Sequence, residues 1–193
     1  MSTIVDDLDT RLGARLKIER ETRGWSLTDL AQRSGVSRAM INKVERGEAS
    51  PTASLLGRLS GAFGLTLSTL LARTETNRAG RLVRAGDRPR WTDPATGYVR
   101  RQIAPAPGSD LPLDVVEVTL PAGALVSFPA TAYAFVRQLV WVLDGTLTFI
   151  EGETAHTLAA GDCLEVGPPS NCTFRNDKKR PCRYAVLILR QAP

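Results

Sequence analysis

The chain has 193 residues, a formal net charge of +5 and 42% hydrophobic residues, which describes a globular protein and excludes a disordered or fibrous one. One histidine excludes any site that needs two imidazoles from one chain, and three cysteines, an odd number, argue against a disulfide framework. At this length the chain forms one large domain or two small ones. The N-terminal MSTIVDDLDT has aspartates where a secretory signal has basic residues, and the longest apolar runs, LVWVL and AVLIL, are too short to span a bilayer. The expectation is a soluble cytoplasmic protein with no membrane partner.

The texture changes along the chain. Residues 5–73 follow a helical period and contain a single proline, Pro51. Residues 81–193 alternate in short runs and hold eleven of the twelve prolines. Between them, residues 76–110 carry seven arginines against three aspartates, so most of the positive excess lies there. The expected organisation is an α + β chain of two domains: helical 1–75, a basic linker 76–97, and an all-β domain 98–193.

The helices come first. Val5, Leu8, Leu12 and Leu16 recur as one helix face, and Gly24 suits its C-cap. In SLTDLAQRSG, Ser26 is a natural N-cap with Asp29 three residues on, and Gly35 breaks the helix. Ser37 opens a third helix, SRAMINKVERG. Its inner face is read as Met40, Ile41 and Val44, which leaves Arg38, Ala39, Asn42 and Lys43 outward. Thr52 starts a fourth, and Leu67, Leu70 and Leu71 mark a fifth.

Two short helices about a glycine-containing turn, inside a five-helix package, form a helix-turn-helix pattern. The R-x3-G lead-in from Arg20, the Leu30-Ala31 dyad, Gly35-Val36-Ser37 at the turn, and Glu45-Arg46-Gly47 followed by Ser50-Pro51-Thr52 resemble the lambda-repressor-like (XRE-type) DNA-binding domain, over about residues 10–72. That resemblance implies an ion pair between Arg20 and Glu45. It also implies a third helix in the major groove, with Arg38, Ala39, Asn42 and Lys43 at base edges. Arg38 would bond guanine, Asn42 adenine, and Ala39 a thymine methyl. The plain alternative for Arg38 or Lys43 is a solvated or phosphate-contacting charge. Ser26, Ser37 and Thr52 start helices and suit phosphates. Leu27 stands where family members often carry a phosphate-binding glutamine. Arg78, Arg81, Arg84, Arg88 and Arg90 either touch phosphates or form a solvated hinge.

The second half reads as about eight short strands separated by turns at 144–145, 161–162 and 168–170, a sandwich or a double-sheet barrel. VLDGTLTF and AAGDCLEVGPPSNCTFRN resemble the two cupin motifs, with Gly145 ending the first and Asn176 the second. The resemblance covers about residues 98–190 and implies a double-stranded β-helix barrel. A metal-binding cupin uses three histidines and a glutamate. Here Gln138 holds the glutamate position, Cys172 holds the second-motif histidine position, and Thr131, Ala132 and Tyr133 are candidates for the His-x-His stretch. An amide and a thiol do not replace imidazole and carboxylate, so no metal and no cofactor are expected.

Tyr133, Gln138, Cys172 and Phe174 are then expected to line a cavity that holds an unidentified small-molecule effector, with Phe128 and Tyr184 as weaker candidates. Arg137 has the opposite parity and should face away. Cys172 reads as a buried apolar residue, as a redox sensor with Cys163 or Cys182 nearby, or as a soft-metal ligand. The functional expectation is a non-enzymatic, homodimeric regulator of transcription that binds a pseudo-palindromic duplex DNA. The alternatives are a cupin enzyme with an attached DNA-binding module and an antitoxin-like interaction protein.

Overall fold

The computed structural model describes residues 3–74 (3–7 as backbone alone), 82–104 and 111–190. The helical half comprises α1 (Thr3–Thr22), α2 (Leu27–Ser34), α3 (Arg38–Glu45), α4 (Ala53–Ala62) and α5 (Leu67–Ala72). Each later start follows from a cap. The Ser26 side chain accepts from the Asp29 amide while the Asp29 carboxylate accepts from the Ser26 amide, a complete capping box. The side chains of Ser37, Thr52 and Thr66 accept from the amides of Met40, Leu55 and Thr69. Gly35 ends α2 in the left-handed conformation, at φ 66°.

The helices enclose Leu12, Leu16, Leu30, Val36, Ile41, Val44, Leu56 and Leu59, all buried. Met40, expected inward, is instead 38% exposed. Ile41 and Val44 already fill the inner face of α3. Met40 lies one residue, about 100°, away from Ile41 on the helix and joins the outer face. Gly13 lets α1 and α3 cross closely, because a Cβ there would lie 2.2 Å from the Val44 carbonyl oxygen.

Two buried charges fasten this bundle. Arg20 meets Glu45 through two hydrogen bonds, Nε to Oε1 at 2.7 Å and Nη2 to Oε2 at 2.8 Å, and its Nη1 donates to the Trp25 carbonyl at 2.8 Å. This fork fixes α1 against α3, and the Glu45 hydrogen bonds raise the Arg20 pKa further. Glu19, 3% exposed, receives Arg15, Arg23 at 2.7 Å and Arg73 at 2.6 Å, which joins α1 to the end of α5.

The β half has ten strands among the described residues: β1 (Arg90–Thr92), β2 (Val99–Ala104), β3 (Leu113–Leu120), β4 (Leu125–Phe128), β5 (Val136–Asp144), β6 (Thr146–Glu151), β7 (Thr154–Ala159), β8 (Cys163–Glu165), β9 (Cys172–Arg175) and β10 (Cys182–Arg190). They form a six-stranded sheet, β1-β2-β3-β10-β5-β8, and a four-stranded sheet, β4-β9-β6-β7. All described pairs are antiparallel, and the two sheets are not hydrogen-bonded to each other into one closed barrel. Phe174 is the hub of the space between them, stacked on Tyr184 at 5.3 Å and tilted on Phe149 at 4.9 Å. Asn176 is fully buried. Its Nδ2 donates to the carbonyls of Leu120, Pro121 and Arg180, so this one amide joins three stretches of chain.

The segment expected as a linker holds β1. Trp91 is 5% exposed and packs edge-on against Tyr98, which draws residues 90–92 into the sheet. Arg78 and Arg81 lie outside the described residues; Arg84 and Arg90 are exposed.

The halves are docked through α4. A Cβ on Gly57 would lie 2.6 Å from Phe128 Cδ1, and one on Gly61 would lie 3.2 Å from the Thr131 backbone. These glycines are four apart and share a helix face, so β4 and the turn at 130–132 rest on nearly bare backbone. The Asp93 carboxylate, 2% exposed, accepts from the Ala53 amide at 3.2 Å and caps α4 from the β half. Arg100 on β2 donates to Ser68 Oγ of α5.

Two outcomes follow. Gly57→Leu should divide a single thermal unfolding transition into two, because the helix loses its seat while each half keeps its core; one unshifted transition would contradict the docking. Burial opposes ionisation of Glu19, but hydrogen bonds from Arg15, Arg23 and Arg73 outweigh it and hold the pKa at about 2. The unfolded value is near 4.3, so the stability Glu19 contributes is complete above about pH 4.3 and is lost as pH falls towards 2. Glu19→Gln should therefore cost on the order of 2 kcal/mol at pH 7, discounted for the partly exposed arginines, and much less at pH 2, measured by urea unfolding.

Candidate nucleic-acid interface and enclosed cavity

Two places collect the functional side chains. The first is the outer face of α3. Arg38, Ala39 and Lys43 are exposed and Asn42 is partly so, all within the first two turns after the Ser37 cap. Met40 adds an apolar contact on the same surface. The inner residues Ile41 and Val44 are 1% exposed each, so the helix is anchored along one side and free along the other.

The helix starts differ in what they offer an anion. Ser37 has no carboxylate in its cap. The Ser26 hydroxyl donates to Asp29 Oδ2 at 2.7 Å, so a carboxylate already occupies the start of α2. The amide following Thr52 is taken by Asp93, so the start of α4 faces the β half. Around Trp25, Arg33 stacks at 4.4 Å and Arg23 lies 5.0 Å from the Phe63 ring, a rigid basic surface beside the α2 cap.

The second place is a cavity of about 50 Å³ inside the β half, closed by the helical half. Tyr133, Gln138 and Phe174 line it from the β side, and Gly57, Ser60 and Thr66 close it from α4 and the start of α5. Phe128 lines it as well, and Tyr184 stacks behind Phe174. Cys172, expected on the lining, is not among the residues that line the cavity; it is 1% exposed, with its thiol turned to Tyr133. Thr131 is exposed and packs against Gly61, so of the three candidates in that stretch Tyr133 and Ala132 face the cavity. Arg137 points away and pairs with Glu165.

Burial pushes the Tyr133 and Tyr184 hydroxyls and the Cys172 thiol above their ordinary pKa values, so all three stay neutral. An amide, a neutral phenol and a neutral thiol do not fit a divalent cation, and no group of three or more His, Cys, Asp or Glu converges among the described residues. His156 sits between the motifs on β7, partly exposed.

The redox reading of Cys172 meets the same obstacle. All three thiols are free. Cys163 is exposed on the outward face of β8, paired in register with Trp141, while Cys172 lies in the other sheet. Burial raises the Cys172 pKa and pushes that of Cys182 up to about 11. A thiol held protonated is a poor nucleophile.

Arg100 was absent from the sequence-derived site. It is 7% exposed, lines the cavity, and donates to Ser68 and, at 3.3 Å, to the Tyr98 hydroxyl. No pattern in VRRQIA separates it from its exposed-parity neighbour; only the docking of α5 buries it.

The model "HTH_3: Helix-turn-helix" matches residues 16–70. The chain is 38% identical over 191 residues to the HTH-type transcriptional regulator SutR of Escherichia coli (strain K12), covering 95% of this chain and 97% of that one. The chain belongs to the HTH-type transcriptional regulators. It is also 32% identical over 73 residues to the HTH-type transcriptional regulator SinR of Bacillus subtilis (strain 168), 37% of this chain and 66% of that one. A crystal structure of an HTH_3 family transcriptional regulator from Vibrio cholerae shares the fold, with a TM-score of 0.78 over 96% of this regulator and 99% of that chain at 22% identity. No helix among the described residues is long and apolar enough to cross a membrane.

The cysteine environments set an expected order of reaction. Native regulator at pH 8 should take up iodoacetamide once per chain, at Cys163, and three times in denaturant. Fast alkylation of Cys172 in the native protein would restore the redox reading.

Proposed function

We propose that this regulator binds a pseudo-palindromic duplex as a homodimer, reads it with α3, and responds to a small molecule in the cavity beneath α4. The observation that carries the reading is the outer face of α3. Arg38, Ala39, Asn42 and Lys43 stand free on a helix whose other side is locked by Ile41, Val44 and the Arg20–Glu45 fork. Those residue types match guanine, thymine methyl and adenine edges, and Lys43 suits a phosphate or a guanine. Ser37 presents its cap to the backbone, while Ser26 and Thr52 contribute less, because Asp29 and Asp93 hold those helix starts.

A second copy is supported by the outward face of the six-stranded sheet. Leu139, Trp141 and Leu189 are 38%, 46% and 48% exposed on neighbouring strands β5 and β10, ringed by Arg137, Glu165, Arg183 and Glu117. An apolar centre with a rim of both charges is self-complementary about a twofold axis. The amide of Gln138 and the neutral phenol and thiol of Tyr133 and Cys172 suit an organic ligand better than a divalent cation, which favours binding as the role of the cavity. An effector that prefers one arrangement of the two halves would shift the reading heads by its differential affinity.

Selection of duplexes from a random pool should give two inverted half-sites about one helical turn apart. Asn42→Ala should weaken the selected site by about 1–3 kcal/mol and relax preference at one base pair per half-site. Protection of an unrepeated site by a monomer, or unchanged preference in Asn42→Ala, would overturn this reading.

A further inference from the structure

Arg100 presents an unusual charge. Its neighbour in type, Arg20, is equally buried but forked onto Glu45. Arg100 has two neutral partners, Ser68 Oγ and the Tyr98 hydroxyl. No carboxylate among the described residues lies within ion-pair distance of it, and its Nε is buried without a hydrogen-bond partner. Asp114, which feels the Arg100 charge, is contacted by Thr66 Oγ1 at 3.4 Å and Arg190 at 3.7 Å, and burial pushes its carboxyl above its ordinary pKa. Buried cations in folded proteins are paired or hold a ligand.

The surroundings are those of a seat for an oxyanion. The Arg100 guanidinium is held by Ser68 Oγ and, at 3.3 Å, by the Tyr98 hydroxyl, and Arg100 lines the cavity beside Tyr98 and Tyr133. Gln138 adds a neutral amide on the same lining, and Phe174 and Ile188 add an apolar wall. A groove of about 290 Å³ between α5 and the start of β5 shares Thr66 and Ala132 with the cavity and carries Arg73 and Arg190, so the approach from solvent is basic.

We propose that the cavity between the two halves binds a small carboxylate, with Arg100 as its counter-ion and the Gln138 amide as an additional donor. The volume of about 50 Å³ matches a ligand of roughly three to five heavy atoms, given that one water needs about 10–15 Å³ by the same measure. The inference rests on the cavity being the effector seat, and it names the class of effector.

The test uses the full-length protein, titrated calorimetrically with sodium acetate and sodium glycolate at fixed ionic strength, and with acetamide as the uncharged counterpart of acetate. Saturable binding of one carboxylate per chain, in about the millimolar range or tighter, is expected for acetate or glycolate and none for acetamide. Arg100→Gln should weaken it at least tenfold and Arg100→Lys should recover part of the loss. If Arg100→Gln does not fold, Gln138→Met, which removes the amide from the cavity lining, should still weaken binding severalfold. Absence of saturable binding by both acids, equal binding of acetamide, or undiminished binding in a folded Arg100→Gln protein would overturn the proposal. Affinity for a selected duplex is then measured at saturating acetate or glycolate. Arg100-dependent binding that leaves it unchanged upholds the carboxylate site and overturns the effector reading. A response to an uncharged metabolite, with no carboxylate binding, overturns the site and spares the effector reading.

Discussion

The contact between the bare face of α4 and the mouth of the β half sets the rest of the structure. Gly57 and Gly61 remove the side chains that would hold Phe128 and Thr131 away. Asp93 then reaches the start of α4, Arg100 reaches Ser68, and the cavity acquires a floor from the DNA-reading half. The site and the reading helix are therefore connected by packed backbone. α4 contacts α2 on its other side, and α2 contacts α3.

The buried charges divide the work. Glu19 and the Arg20–Glu45 fork sit inside the helical half, where ion pairs lose much of their Coulomb gain to desolvation. Their contribution is geometry: α1 is fixed to α3 and to the end of α5. Arg100 sits between the halves and has no such acid. The same residue type thus serves as a fastener in one place and as an open counter-ion in the other, and burial alone does not tell them apart. The identity of the nearest acceptor does.

Much of this was legible in the sequence. The caps at Ser26, Ser37 and Thr52, the glycine stop at Gly35, and the strand alternation in LDVVEVTL are local signals, and the structure forms each element where they point. The parity argument placed Arg137 outward and Tyr133, Gln138 and Phe174 towards one space. What stayed hidden depends on contacts between segments far apart in the chain. Met40 matches an apolar helix position but is displaced by Ile41 and Val44. Trp91 turns part of an arginine-rich stretch into a strand because Tyr98 covers it. Arg100 and Glu19 carry no local signal of burial; the docking of α5 brings Ser68 to the first and Arg73 to the second. The glycines at 57 and 61 are spaced for close helix packing, a signal that was present in the sequence and attributed to nothing.

The helical half and the β half unfold as one cooperative unit through α4. Native-state amide hydrogen exchange, followed as denaturant is raised, measures it directly. The account predicts that the amides of α4 and of the β4–β9 pair open with the same free energy and the same denaturant dependence. Exchange of α4 through a lower-energy opening that leaves β4–β9 protected would show two independent halves and contradict it.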